Sequence, residues 1–140
     1  MPWFAAHAIM YWKWKNGPQD KFNVEEDVVL VEATDHFAAW RAGEAIARES
    51  EGDDQGSLTE YGQPANRVFA GLRKVVMIPE YSGFTRPGHG DEVTYSTFVV
   101  PDLEAVAALA AGEQVEVRYV ETHAGYLRED FEAEFRNRNL

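Results

Sequence analysis

Trp3-Phe4-Ala5-Ala6-His7-Ala8-Ile9-Met10-Tyr11-Trp12, running on through Lys13 and Trp14 into Asn16-Gly17-Pro18-Gln19-Asp20, decides how the chain folds. The run is short and aromatic, and the Asn-Gly-Pro cluster behind it is turn chemistry, so residues 3–14 read as a strand entering a turn. Both parities are apolar: Trp3, Ala5, Ile9 and Tyr11 alternate with Phe4, Ala6, Ala8, Met10 and Trp12. A strand with two apolar faces needs cover on both, from helices on one side and another layer or subunit on the other. A membrane span of about 20 residues is excluded, because His7 interrupts the run and Lys13 and Lys15 follow too soon. The expectation is a cytoplasmic chain with no membrane partner.

Outward from this run, residues 22–33 read as the returning strand. Val24, Val28, Leu30 and Glu32 share one parity and Val29 and Val31 the other, with an acidic middle, Glu25-Glu26-Asp27, expected to be exposed or bulged. Thr34 or Asp35 caps a helix over 35–49, whose apolar stripe is read as Ala38, Ala42, Ala45 and Ile46. Small residues there allow close approach to a sheet, and an internal Gly43 costs about 1 kcal/mol of helix propensity. Glu51 to Ser57 is a polar, glycine-containing loop. A strand over 66–78 is expected to pair with one over 92–100 across the long connection from Pro79 to Gly90. Pro101 and Asp102 open a helix over 102–111, with Leu103, Val106, Ala107 and Ala110 as its packing face and Gly112 ending it. Residues 114–120 alternate as a half-buried strand does, and Leu127, Phe131 and Phe135 return to helical spacing in the tail.

The order β-β-α-β-β-α-β-α predicts an α+β fold, an antiparallel sheet with helices packed mainly on one face. Without its first strand and last helix it is the order of a ferredoxin-like sandwich, carrying an added N-terminal strand and C-terminal helix. At 140 residues, 45% of them hydrophobic, the chain reads as one domain over 1–140. It has no cysteine, which removes disulfides, thiolate metal sites and cysteine nucleophiles. Thirteen basic against 24 acidic side chains give a net charge of −11, which opposes attraction to nucleic acid or anionic membrane.

The Trp3-Phe4-Ala5-Ala6 strand, the Val28-Val29-Leu30-Val31-Glu32-Ala33 strand, the alanine-rich helix from Asp35 and the Val68-Phe69-Ala70-Gly71-Leu72 strand resemble a small bacterial family classed as a domain of unknown function, DUF4288. The resemblance covers about the first half of the chain. It implies a compact α+β domain and carries no catalytic residues with it.

Chemistry-bearing motifs are sparse. His7, His36, His89 and His123 have no zincin spacing, and His89-Gly90-Asp91-Glu92 is an incomplete ligand set, so neither a metal nor another cofactor is expected. His7, inside an apolar strand, reads as a hydrogen-bonded core or interface residue. Ser57, Ser82 and Ser96 lack a nucleophile-elbow setting, and Gly83, Gly88 and Gly90 make no phosphate loop. The acidic pairs are read as solubilising charge.

Three function classes remain. The leading expectation is a noncatalytic protein-interaction or accessory domain that self-associates, or binds another protein, with Tyr11, Trp12, Trp14 and Arg73 as contact residues, because Trp, Tyr and Arg make buried anchors. The second is a small enzyme or small-molecule-binding domain with Tyr81, Phe84, Arg86 and His89 of the 79–92 connection at its site. The third is a weak nucleic-acid module, for which Lys13, Lys15 and Lys21 at the first turn and Arg67, Arg73 and Lys74 on the third strand supply charge and Tyr11, Trp12 and Trp14 stacking, against the field of the whole chain.

Overall fold

The computed structural model describes residues 1–52, 58–80, 86–120 and 125–138. Among them are β1 (Trp3–Trp14), β2 (Val24–Glu32), α1 (His36–Glu49), β3 (Thr59–Glu60), β4 (Gln63–Ile78), β5 (Thr97–Val99), α2 (Leu103–Ala110), β6 (Arg118–Val120), β7 (Tyr126–Leu127) and α3 (Arg128–Asn137). The α+β class and the antiparallel sheet with helices on one face both hold. The N-terminal strand is the centre of that sheet: β1 lies between β2 and β4, in the order β2-β1-β4-β3, with β7 also on β4. This explains its two apolar parities, since a central strand must be covered twice.

On one face Phe4, Ala6, Ala8 and Met10 of β1 meet α1. The helix buries Phe37, Ala39, Trp40, Gly43 and Ala47. The expected stripe was therefore mis-phased: Ala38 and Ala42 only flank the core, and Ala45 and Ile46 are exposed. Trp40 and Phe37 sit about one position off that stripe, and their bulk outweighs alanine in choosing the buried face. Gly43 has a packing reason, because a Cβ there would lie 2.8 Å from the Ala6 Cβ. Asp35 caps α1 by accepting from the Ala38 amide at 2.8 Å, as expected. The tail helix docks by its aromatics: Phe131 stacks on Trp40 at 5.3 Å and on Phe37 at 5.1 Å, while Phe135 stays exposed.

The last third departs further from the sequence reading. Residues 92–100 do not pair back onto β4; only Thr97–Val99 is strand, and its partner is Arg118–Val120 in a separate two-stranded sheet. On β4, β1 takes one edge along 65–78, while β3 and β7 take Gln63, Pro64, Lys74 and Val75 of the other. The alternating stretch from Gln114 is irregular until Arg118. Helix α2 forms over its expected span, with Asp102 capping the Ala105 amide at 2.8 Å, but buries no residue, so its expected packing face is solvent-facing and Leu103 is 83% exposed. A short hairpin between β3 and β4, absent from the sequence reading, turns at Tyr61 and Gly62, both with positive φ.

Of the expected loop, residues 53–57 lie outside the described residues, as do Tyr81, Ser82, Gly83 and Phe84 of the long connection, and His123.

Candidate functional site: a polar clamp and an open strand edge

The face of the sheet turned away from α1 carries the titratable side chains. His7 on β1 stands opposite Lys74 on β4 and diagonal to Glu26 on β2, so alternation points all three the same way. The register of β4 slips between His7 and Ala8, leaving Arg73 as the extra residue of a bulge. The side chains of Arg73 and Lys74 therefore both reach partners on this face. His7 and Lys74 are 1% and 0% exposed.

Burial of such groups requires partners, and residues 94–120 supply them. Nδ1 of His7 donates to Glu26 Oε1 at 2.9 Å, and Nε2 shares a hydrogen bond with the Thr94 hydroxyl at 2.5 Å. The Tyr119 hydroxyl donates to the Glu26 carboxylate at 2.9 Å and accepts from Ser96 at 2.7 Å. Lys74 donates to the Tyr95 carbonyl at 2.6 Å, and the Arg73 guanidinium lies 3.3 Å from the centre of the Tyr119 ring. Burial first, and then the nearby Glu26 carboxylate, hold the Tyr119 phenol above its ordinary value. Glu26 was read as solubilising charge; it is the acceptor that joins three strands.

Thr94, His7 and Glu26 follow the order hydroxyl, imidazole, carboxylate that activates a nucleophile. The recess beside Thr94, between Val76, Met77, Pro79 and Val93, holds about 80 Å³. Small-molecule sites run to roughly 300–1,000 Å³, so the recess is small for a substrate, whereas the bonds fasten residues 94–120 onto the sheet.

The edge of the same sheet is open. The Trp12 amide donates to the Asn23 carbonyl, and the Ala33 amide to the Pro2 carbonyl. In an antiparallel ladder bonded pairs alternate, so Glu25, Asp27, Val29 and Val31 direct their amides and carbonyls at β1. Val24, Glu26, Val28, Leu30 and Glu32 direct theirs outward, and among the described residues no strand receives them. Their side chains stand on the clamp face, where Val24 is 58%, Val28 44% and Leu30 50% exposed. Neither Lys nor Pro interrupts β2, and the charges that could blunt this edge are the acids Glu25, Glu26, Asp27 and Glu32. The neighbouring acids are engaged inward: on the α1 face Arg67 reaches across β1 to Glu25 at 3.2 Å and also pairs with Asp27. The Glu25 carboxyl is held below its ordinary range by the Trp12 indole N–H and then by Arg67.

The expected contact residues do not form one patch. Tyr11 lies on the clamp face, edge-on to Phe22, whereas Trp12 and Trp14 lie on the α1 face. Trp12 donates to Glu25 at 3.2 Å, and Trp14 donates to Glu60 at 2.9 Å while walling a recess of about 390 Å³ with Tyr61 and Lys21. Arg73 belongs to the clamp. Of the alternative site, Arg86 lies 6.0 Å over the Trp3 ring and His89 is exposed, while Tyr81 and Phe84 fall outside the described residues. Among the described residues, no group of three or more His, Asp or Glu side chains is placed to hold a metal ion. No helix among them is long and apolar enough to cross a membrane. Sequence reading misses the roles of Glu26, Thr94 and Tyr119, and places Lys74 in a basic cluster and not in the clamp. The one signal in β1 is His7, a polar residue inside an apolar run, and in β4 it is Arg73-Lys74 between apolar neighbours.

Residues 3–93 match the model of a family described as Domain of unknown function (DUF4288). No curated protein and no solved structure matches the chain. The match ends just before Thr94, so the clamp joins family residues His7, Glu26 and Lys74 to the segment that follows the matched region.

Proposed function

The chain belongs to the DUF4288 family, and we propose that it acts as a noncatalytic protein-interaction domain that self-associates through the outer edge of β2. The observation that carries this is the uninterrupted edge: outward amides and carbonyls from Val24 to Glu32, beside an exposed apolar row of Phe22, Val24, Val28 and Leu30. Strand addition satisfies the backbone groups and shields the row in one step.

Sedimentation velocity over a wide concentration range tests it. The wild type should shift from monomer to a heavier species. Val28→Pro removes an outward amide without touching the β1 ladder, and Val28→Lys places charge on the row; both should stay folded and monomeric. A folded wild type that remains monomeric throughout would contradict the proposal.

A second reading, hydrolysis by a Thr94 nucleophile, has the Thr94–His7–Glu26 hydrogen bonds in its favour. A fluorophosphonate probe that labels wild type but not Thr94→Ala would support it. Absence of labelling on the folded protein would leave the clamp a purely structural device.

A further inference from the structure

We infer that the partner at the β2 edge is a second copy of this chain, docked antiparallel about a two-fold axis at Val28. This rests on the proposed interaction edge and specifies its occupant and register.

Backbone parity restricts the choices first. Only Val24, Glu26, Val28, Leu30 and Glu32 present bonding groups outward, so an antiparallel copy must set these residues against one another. The two-fold axis then falls at Glu26, Asp27, Val28, Val29 or Leu30. Side-chain charge separates these registers, because like charges directly opposite destabilise a sheet pair. An axis at Glu26 sets Glu26 against itself and Glu25 against Asp27. One at Asp27 opposes the two Asp27 side chains, and one at Val29 opposes Glu26 and Glu32. An axis at Leu30 avoids those pairs but leaves Val24 to Asp27 of each strand beyond the other.

The axis at Val28 differs from the rest. It is the midpoint of Val24–Glu32, so all nine residues of β2 pair. Val28 faces its own copy, Glu26 faces Leu30 of the partner subunit, and Val24 faces Glu32 of the partner subunit. Glu25 and Asp27 meet Val31 and Val29 of the partner subunit. No acid opposes an acid in the register of greatest length. Within each chain Arg67 contacts both Glu25 and Asp27 and offsets one of their two charges, while the Glu26 carboxylate accepts hydrogen bonds from His7 and Tyr119. In this register the acids that remain uncompensated on β2 face apolar residues of the other copy and not one another, which is how the seam accommodates a net charge of −11 per chain.

Cysteine variants of the full chain read the register, because the natural sequence has no cysteine. Two Val28 positions facing each other as a bonded pair would have Cα atoms about 5.5 Å apart, within disulfide reach. Under oxidised glutathione, Val28→Cys should double in mass on non-reducing gels, while Asp27→Cys and Val29→Cys remain monomeric there. Wild type that dimerises by sedimentation, together with cross-linking of Asp27→Cys or Val29→Cys but not of Val28→Cys, would overturn this register and leave edge pairing standing. Wild type that does not dimerise would overturn both.

Discussion

The imidazole of His7 and the carboxylate of Glu26, 19 residues apart in sequence, lie 2.9 Å apart on adjacent strands, and the same carboxylate accepts from Tyr119, 93 residues further along the chain. One acceptor thus fixes the orientation of a fully buried ring and fastens the β5–β6 segment. The Thr94–His7, Tyr95–Lys74 and Tyr119–Arg73 contacts add to that hold, and α2 buries no residue. Polar bonds here do what apolar burial does on the α1 face.

Tyr119→Phe keeps the ring under Arg73 and removes the hydroxyl that joins Glu26 and Ser96. It should cost about 1–2 kcal/mol in equilibrium denaturation, as expected for a hydrogen bond to a charged group with a half-buried partner left behind. Amide exchange should accelerate at 97–99 and 118–120 and remain unchanged in β1. Equal protection in both segments would show that the hydroxyl holds nothing.

Gly43→Ala sets two effects against each other. Helix propensity favours alanine by about 1 kcal/mol. The new methyl would lie 2.8 Å from the Ala6 Cβ and 3.2 Å from Leu72, both in the packed core, where overfilling typically costs about 1–3 kcal/mol. A net loss of about 1 kcal/mol is expected by urea denaturation, and a net gain would show that α1 can lift from the sheet.

Burial first, and then hydrogen bonds to Glu26 and Glu134, raise the Tyr119 and Tyr126 phenols above their ordinary 10.0. The folded chain keeps protons that the unfolded chain releases, so both contributions are complete below pH 10.0 and are lost as pH climbs through the raised values. Stability should therefore fall on the alkaline side, and the fall should be shallower in Tyr126→Phe. Denaturation midpoints across that range give the answer; an identical slope in the variant would contradict the assignment.

How much of this could be read from the chain differs between the two faces. Local periodicity and caps placed β1, β2, α1, α2 and α3, because Asp35 and Asp102 and the change of spacing are signals within a few residues. The phase of α1 was missed by counting alanines as equal to Phe37 and Trp40. The clamp was out of reach: Thr94 meets His7 across 87 residues, and the bulge at Arg73 that turns it toward Tyr119 has no local mark. The open edge was half legible, since the parity of Val24, Val28 and Leu30 was evident, but which strand would flank β1 on its outer side was not.

Salt should strengthen the association. Each chain carries a net charge of −11, and two such chains repel at long range. Raising ionic strength from about 0.01 M to 0.15 M shortens the screening length from about 30 Å to about 8 Å, beyond which that repulsion is damped. Sedimentation equilibrium in both buffers should show a lower dissociation constant at the higher salt; the reverse order would point to attraction between opposite charges at the seam.

Amide hydrogen exchange resolved along β2, measured at dilute and concentrated protein, reads the edge most directly. The amides of Glu25, Asp27, Val29 and Val31 bond to β1 and should be protected at both concentrations, while those of Glu26, Val28 and Leu30 should be protected only in the concentrated sample. Fast exchange at Glu26, Val28 and Leu30 at every concentration, beside protected neighbours, would mean that no strand adds to this edge and would contradict self-association through β2.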